Sequence, residues 1–127
     1  MKLEHVNLTV SDLDRSVAFY CDVLGLEVRW QGHTSSGKHA AHVGNREMYL
    51  ALFAATSPGQ ATLDYGAVGP NHFGLIVEDL DAVRPRLEAA GITPHLEDDY
   101  EPGRRLYFYD PDGMEVELVE YLDTGPA

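Results

Sequence analysis

One short pattern is written twice in this chain. Residues 5–14 read HVNLTVSDLD and residues 72–81 read HFGLIVEDLD, so at an offset of 67 they agree at His, Leu, Val, Asp, Leu and Asp, six positions in ten. Chance similarity between amphipathic segments matches hydrophobic positions, but it rarely also matches a histidine and two aspartates. Each copy runs into a helical stretch that stops at a glycine, in Val23-Leu24-Gly25-Leu26 and in Ala89-Ala90-Gly91-Ile92, where a left-handed cap is expected. The chain is therefore expected to fold as two related halves.

Each half reads strand, helix, then three strands. Residues 5–10 and 72–77 are apolar enough for buried strands. Ser11 or Asp12 can cap the first helix, in which Leu13, Val17, Tyr20 and Leu24 fall at helical spacing. Leu80, Val83, Leu87 and Ala90 form the matching stripe, and Pro85 is accommodated if that helix starts near Asp81. Further strands are expected at 26–31, 38–43 and 46–53, turning at Gly44-Asn45, and at 92–96, 105–109 and 114–121, turning at Asp110-Pro111-Asp112-Gly113. The predicted fold class is α+β, with two tandem βαβββ modules at residues 3–55 and 71–121 of one 127-residue domain. Residues 56–70, rich in Gly, Pro, Ser and Thr, read as the linker. One helix covers only one face of a four-stranded sheet, so two such sheets are expected to form a curved, partly closed wall around a shared cavity.

Composition narrows the function. The chain is 44% hydrophobic, which suits a globular core, and no apolar run approaches the roughly 18 residues that span a bilayer. The start Met1-Lys2-Leu3-Glu4-His5 lacks a secretory pattern, so cytoplasmic residence is expected. The single cysteine, Cys21, excludes an internal disulfide and reads as a small helix residue. Acidic residues outnumber basic ones by 21 to 9, for a formal charge of −12. Such a surface repels phosphate backbones and anionic lipid, leaving a small molecule as the expected partner rather than nucleic acid or membrane.

His5 and His72 open the first strand of each copy, and symmetry-related packing would bring both towards one cavity. The last strand, Met114-Glu115-Val116-Glu117-Leu118-Val119-Glu120, sets Glu115 and Glu117 on one face; Glu115 reads as a solvated edge residue and Glu117 as part of the inner wall. Two imidazoles and a carboxylate leave coordination positions open and suit Fe, Mn, Zn, Ni or Co.

The paired modules, His5-Val6-Asn7-Leu8-Thr9-Val10-Ser11-Asp12-Leu13, the helix carrying Ala18-Phe19-Tyr20 and ending at Leu24-Gly25-Leu26, and Tyr107-Phe108-Tyr109-Asp110-Pro111-Asp112-Gly113 together resemble the vicinal oxygen chelate superfamily. That group holds glyoxalase I, extradiol dioxygenases, fosfomycin-resistance enzymes, methylmalonyl-CoA epimerase and bleomycin-resistance proteins. The resemblance implies one divalent metal per site on His5, His72 and Glu117. The position matching Glu117 in the first module is Ala51, which cannot bind metal, so the ligand pattern is similar to fosfomycin-resistance enzymes and dioxygenases. Two departures separate the chain from the former: Glu97 stands where their glutathione-dependent branch has a lysine, and Asn7 where they have a threonine. The resemblance implies a metal-dependent lyase, transferase or oxygenase that chelates a small oxygen-rich substrate, in a homodimer whose sites combine strands of both subunits. The competing reading is a non-enzymatic protein that sequesters a drug-like ligand.

A type I turn at Asp110-Pro111-Asp112 followed by left-handed Gly113 pairs Tyr107 with Glu117 and Arg105 with Val119. Tyr107 is then the candidate catalytic hydroxyl, while Asn7 and Arg105 are candidate substrate contacts, Arg105 for an anionic group. His33, His39, His42 and His95 read as exposed polar residues. Either His39 or His42, on opposite strand faces, could line the cavity as a general base, and Glu47 is a further candidate.

Overall fold

The computed structural model describes residues 1–100 and 103–121, and the chain divides into two compact units, Met1–Gly59 and Gln60–Ala127. Each unit is α+β: one open four-stranded mixed sheet and one helix.

In the first unit the elements are β1 (His5–Val10), α1 (Leu13–Asp22), β2 (Glu27–His33), β3 (His39–Gly44) and β4 (Tyr49–Ala54), with sheet order β1-β4-β3-β2. Asp12 is the α1 N-cap, its carboxylate accepting from Arg15 N at 3.1 Å; Ser11 instead pairs with Gly59. β1 runs parallel to β4, and the remaining pairs are antiparallel. Alternation sends Leu8, Val10, Ala41, Val43, Leu50 and Leu52 into the core with Leu13, Phe19 and Tyr20 of α1. It leaves His5, Asn7, His42, Tyr49 and Ala51 on the opposite face. β4 starts at Tyr49 rather than at residue 46 because Asn45 builds a turn: its side-chain oxygen accepts from Glu47 N and Met48 N, at 2.8 and 3.1 Å.

The second unit repeats the plan with β5 (His72–Ile76), α2 (Leu80–Ala89), β6 (Leu96–Tyr100), β7 (Gly103–Tyr109) and β8 (Glu115–Tyr121), in the order β5-β8-β7-β6. Leu80, Val83 and Leu87 of α2 are buried, as are Leu106, Phe108, Val116 and Leu118 of β7 and β8. Asp79 caps α2, so Pro85 lies in the helix interior rather than the first turn, and the bond its N–H would make to Asp81 is lost. Gly25 and Gly91 take positive φ, 73° and 76°, just past the two helices, as the repeat predicts.

β6 differs from expectation. The strand expected at 92–96 instead begins at Leu96 and runs through the acidic segment that follows. Pro94 cannot donate to a ladder, whereas from Leu96 onward the backbone pairs with β7, Asp98 and Asp99 lying across from Arg105 and Arg104. Among the described residues no helix is long and apolar enough to cross a membrane.

Candidate metal centre

Parallel pairing of β5 with β8 sets His72 beside Glu115 and Gly74 beside Glu117. His72 Nε2 reaches Glu117 Oε1 at 3.1 Å. The β7–β8 hairpin has the register expected from its turn: Asp110 N donates to Met114 O at 2.8 Å, Gly113 has φ of 82°, and Tyr107 lies opposite Glu117 with Arg105 opposite Val119. Tyr107 meets the His72 ring edge-on, with centroids 5.4 Å apart.

Arg105 has a nearer duty than anchoring a substrate. Its Nε donates to Glu117 Oε2 at 3.0 Å, and the two side chains are only 11% and 13% exposed. Arg104 turns to the other face, where it bonds Glu120 at 3.2 Å and lies 3.5 Å from Asp81. Neither arginine's bonded nitrogen is held by Asp98 or Asp99, the acids across from them on β6.

Glu115 is not a solvated edge residue. It is 6% exposed, and both its oxygens are engaged: Oε2 with His95 Nε2 at 2.6 Å, and Oε1 with the Tyr65 hydroxyl. His95, read from sequence as an exposed polar residue, stacks on Tyr109 with centroids 4.1 Å apart. Burial pushes the Glu115 carboxyl up, but the Tyr65 and His95 hydrogen bonds outweigh it and hold it below its ordinary value. The same Glu115 hydrogen bond, with burial, pushes the Tyr65 phenol up to about 12. Tyr65 Oη also lies 2.8 Å from His72 Nδ1. Tyr65 comes from the stretch read as linker, of which residues 60–70 belong with the second unit, where Ala61 N donates to Asp112 O at 2.7 Å. No sequence signal singled it out, since it stands outside the repeat.

In the first unit His5 Nδ1 lies 2.9 Å from Glu4 Oε1, and the ring stacks on Tyr49 at 4.8 Å. Tyr49 stacks in turn on His42 at 4.5 Å and carries the Arg29 guanidinium 4.5 Å over its ring. Burial, with the nearby His5 and Arg29, pulls the His42 imidazole below its ordinary value. Asn7 Nδ2 donates to Ala51 O at 2.9 Å. Ala51 occupies on β4 the place of Glu117 on β8, each pairing two residues after its histidine's partner. His39 stacks on His33, away from this cluster, and Glu47 belongs to the Asn45 turn.

The second unit thus brings together two of the three expected ligands. Two donors about 2.1 Å from one ion and near a right angle apart are separated by about 3 Å, and His72 Nε2 and Glu117 Oε1 have that spacing. The pair fits a metal. Among the described residues no group of three or more His, Cys, Asp or Glu is arranged to hold one.

The family model for the Glyoxalase/Bleomycin resistance protein/Dioxygenase superfamily matches residues 2–118. The chain is 33% identical over 122 residues to glutathione transferase FosA of Serratia marcescens, covering 91% of this chain and 78% of that protein. It is 33% identical over 132 residues to a lactoylglutathione lyase of Salmonella typhimurium, covering 98% and 96%. A glyoxylase/bleomycin resistance protein/dioxygenase domain from Frankia sp. superposes with TM-score 0.81 at 26% identity, covering 98% and 94%. A fosfomycin resistance protein FosX from Listeria monocytogenes, solved with Mn(II) and a dihydroxypropylphosphonic acid, has the same fold at TM-score 0.73 and 22% identity, covering 93% and 90%.

Proposed function

Because the chain belongs to the glyoxalase/bleomycin resistance protein/dioxygenase superfamily, whose members include metal-dependent enzymes, we propose that it is a divalent-metal-dependent lyase, transferase or oxygenase acting on a small oxygen-rich molecule. His5, His72 and Glu117 hold the metal. The observation that carries this reading is the 3.1 Å convergence of His72 Nε2 on Glu117 Oε1, from neighbouring strands of the open sheet face. The third ligand, His5, holds the equivalent place in the first unit. Imidazole and carboxylate donors suit Fe, Mn, Zn, Ni or Co. When bound, such a metal accepts two neighbouring substrate oxygens and stabilises negative charge developing on them.

The protein's own groups position the rest. Arg105 holds the far oxygen of Glu117, which orients the carboxylate towards His72, and it anchors an anionic substrate group beside that pair. Tyr107, opposite Glu117, offers its hydroxyl to a substrate oxygen. Asn7 lines the first unit's face next to His5 with its amide fixed on Ala51 O. Fosfomycin itself is disfavoured as substrate. Glu97, which stands in place of the lysine of the glutathione-dependent fosfomycin enzymes, lies opposite Leu106 on the core side of β6 and pairs with Arg84.

Elemental analysis of protein grown in metal-replete medium tests the reading. About one tightly bound divalent metal per chain is expected, lost in His5→Ala, His72→Ala and Glu117→Ala and retained in Ala51→Ser. A chain that never holds metal stoichiometrically overturns it in favour of ligand sequestration. An unchanged metal content in one variant removes that residue from the set.

A further inference from the structure

On the face of the first unit opposite α1, each strand contributes one ring, in sheet order: His5 on β1, Tyr49 on β4, His42 on β3 and Trp30 on β2. Neighbouring ring centroids lie 4.8, 4.5 and 5.0 Å apart. Strand alternation alone would not complete this row. Val28 pairs with Val43, yet Trp30 pairs with His42, so β2 carries one extra residue, Arg29. In a regular ladder Arg29 and Trp30 would point to opposite faces. The bulge delivers both to the face that holds Tyr49 and His42. We propose that the Arg29–Trp30 bulge builds a binding platform for a planar aromatic carboxylate, with the ligand's ring laid against Trp30 and its carboxylate held by Arg29.

Charge selects an anion. The chain carries a formal charge of −12, yet Arg29 forms no ion pair among the described residues; its guanidinium lies 4.5 Å over the Tyr49 ring. Glu4 feels the Arg29 charge but gives its Oε1 to His5 and the Tyr49 hydroxyl. A guanidinium seated on a ring face keeps its N–H groups at its own edges, where a carboxylate can take two of them. Arg105, by contrast, already gives its Nε to Glu117. Shape selects a flat ring. Trp30 is 41% exposed, and Gly32 leaves room for its indole, since a Cβ there would come 3.0 Å from Trp30 Cζ2. An exposed indole lying over a glycine offers a flat surface on which an aromatic ring gains more than an aliphatic one.

That this ligand is the molecule chelated beside His5 rests on the proposed metal reading; its binding to the platform does not. Trp30 is the only tryptophan, so its indole N–H gives a single 1H–15N resonance at the platform. Chelator-treated protein is titrated with 2-naphthoate, with neutral 2-naphthamide, and with decahydro-2-naphthoate, the same anion without the flat ring. 2-Naphthoate is expected to move the indole resonance saturably and to bind about 10- to 100-fold tighter than the amide. Its advantage over the decahydro anion should be about 2- to 10-fold. Arg29→Met should bring 2-naphthoate down to the level of the amide. Lys38→Met, the same charge change in the β2–β3 connection, should bind as wild type does. Equal affinity of the wild type for 2-naphthoate and 2-naphthamide overturns the proposal, a comparison that needs no variant. So does 2-naphthoate binding that leaves the indole resonance unmoved, or that survives intact in Arg29→Met. Because the protein is metal-free throughout, these outcomes stand apart from the metal reading, which is decided by metal content.

Discussion

Glu117 spends its two oxygens on different partners, His72 on one side and Arg105 on the other. Removing one member of a shielded ion pair costs about 3–5 kcal/mol when burial is complete; this pair keeps 11% and 13% exposure, so about 2 kcal/mol is the reasonable scale for Arg105→Met in metal-free protein. If a divalent ion binds Glu117, saturating zinc should recover much of that loss by supplying the missing positive charge. Urea unfolding with and without zinc measures this, and an equal loss in both conditions would mean that no ion neutralises Glu117. Tyr107→Phe should leave zinc affinity unaltered and lower turnover once a substrate is known; unaltered turnover removes Tyr107 from the chemistry. At this scale the sequence was only partly readable. Glu117 and His72 followed from strand alternation and the repeat. Glu115 did not, because alternation puts both acids on one face and cannot say which is roofed over. What roofs Glu115 is Tyr65, fifty residues earlier by number, and His95, neither of which carries a periodic signal.

At the scale of elements, the helices begin where the duplicated aspartates put them, at Asp12 and Asp79. The second helix gains an additional cap that no local pattern shows: Glu120 of β8 accepts from Leu80 N at 2.9 Å and from Arg104 at 3.2 Å. The Leu80 N–H bond and then the Arg104 hydrogen bond hold the Glu120 carboxyl below its ordinary value of 4.5. A depressed folded value means that the stabilisation is fully present above the unfolded pKa and is lost as pH falls through the folded one. Glu120→Gln is thus expected to be less stable than wild type near neutral pH, with the two urea midpoints converging as pH is lowered through the carboxylate range. A gap that stays constant with pH would show that the charge of Glu120 contributes nothing to α2. Asp12→Ala should cost about 1 kcal/mol at the start of α1, read from the same unfolding curves. The strand β6 was the element least legible in sequence, since it pairs along the β7 backbone with an acidic segment of poor strand propensity.

Across the whole chain, duplication divides the expected donor set between halves: His5 on β1 of the first unit, His72 and Glu117 on β5 and β8 of the second. The first half's share is smaller, because Ala51 stands where a carboxylate would complete a second pair like that of Glu117. Neither unit holds all three proposed ligands, so a centre built from His5, His72 and Glu117 would need a donor contributed across a boundary. We expect that boundary to lie between two copies of the chain in a homodimer, with His5 of one copy serving the His72–Glu117 pair of the other. Complementation decides the matter. A His5→Ala chain and a Glu117→Ala chain, each expected to be metal-free alone, are mixed under conditions in which subunit exchange is verified by mass spectrometry of a tagged partner. Sites shared between copies give the mixed dimer one site lacking both mutated ligands and one with all three intact, so zinc binding should return to about one ion per mixed dimer. Sites built within single chains leave every site missing one ligand, and exchange then restores nothing.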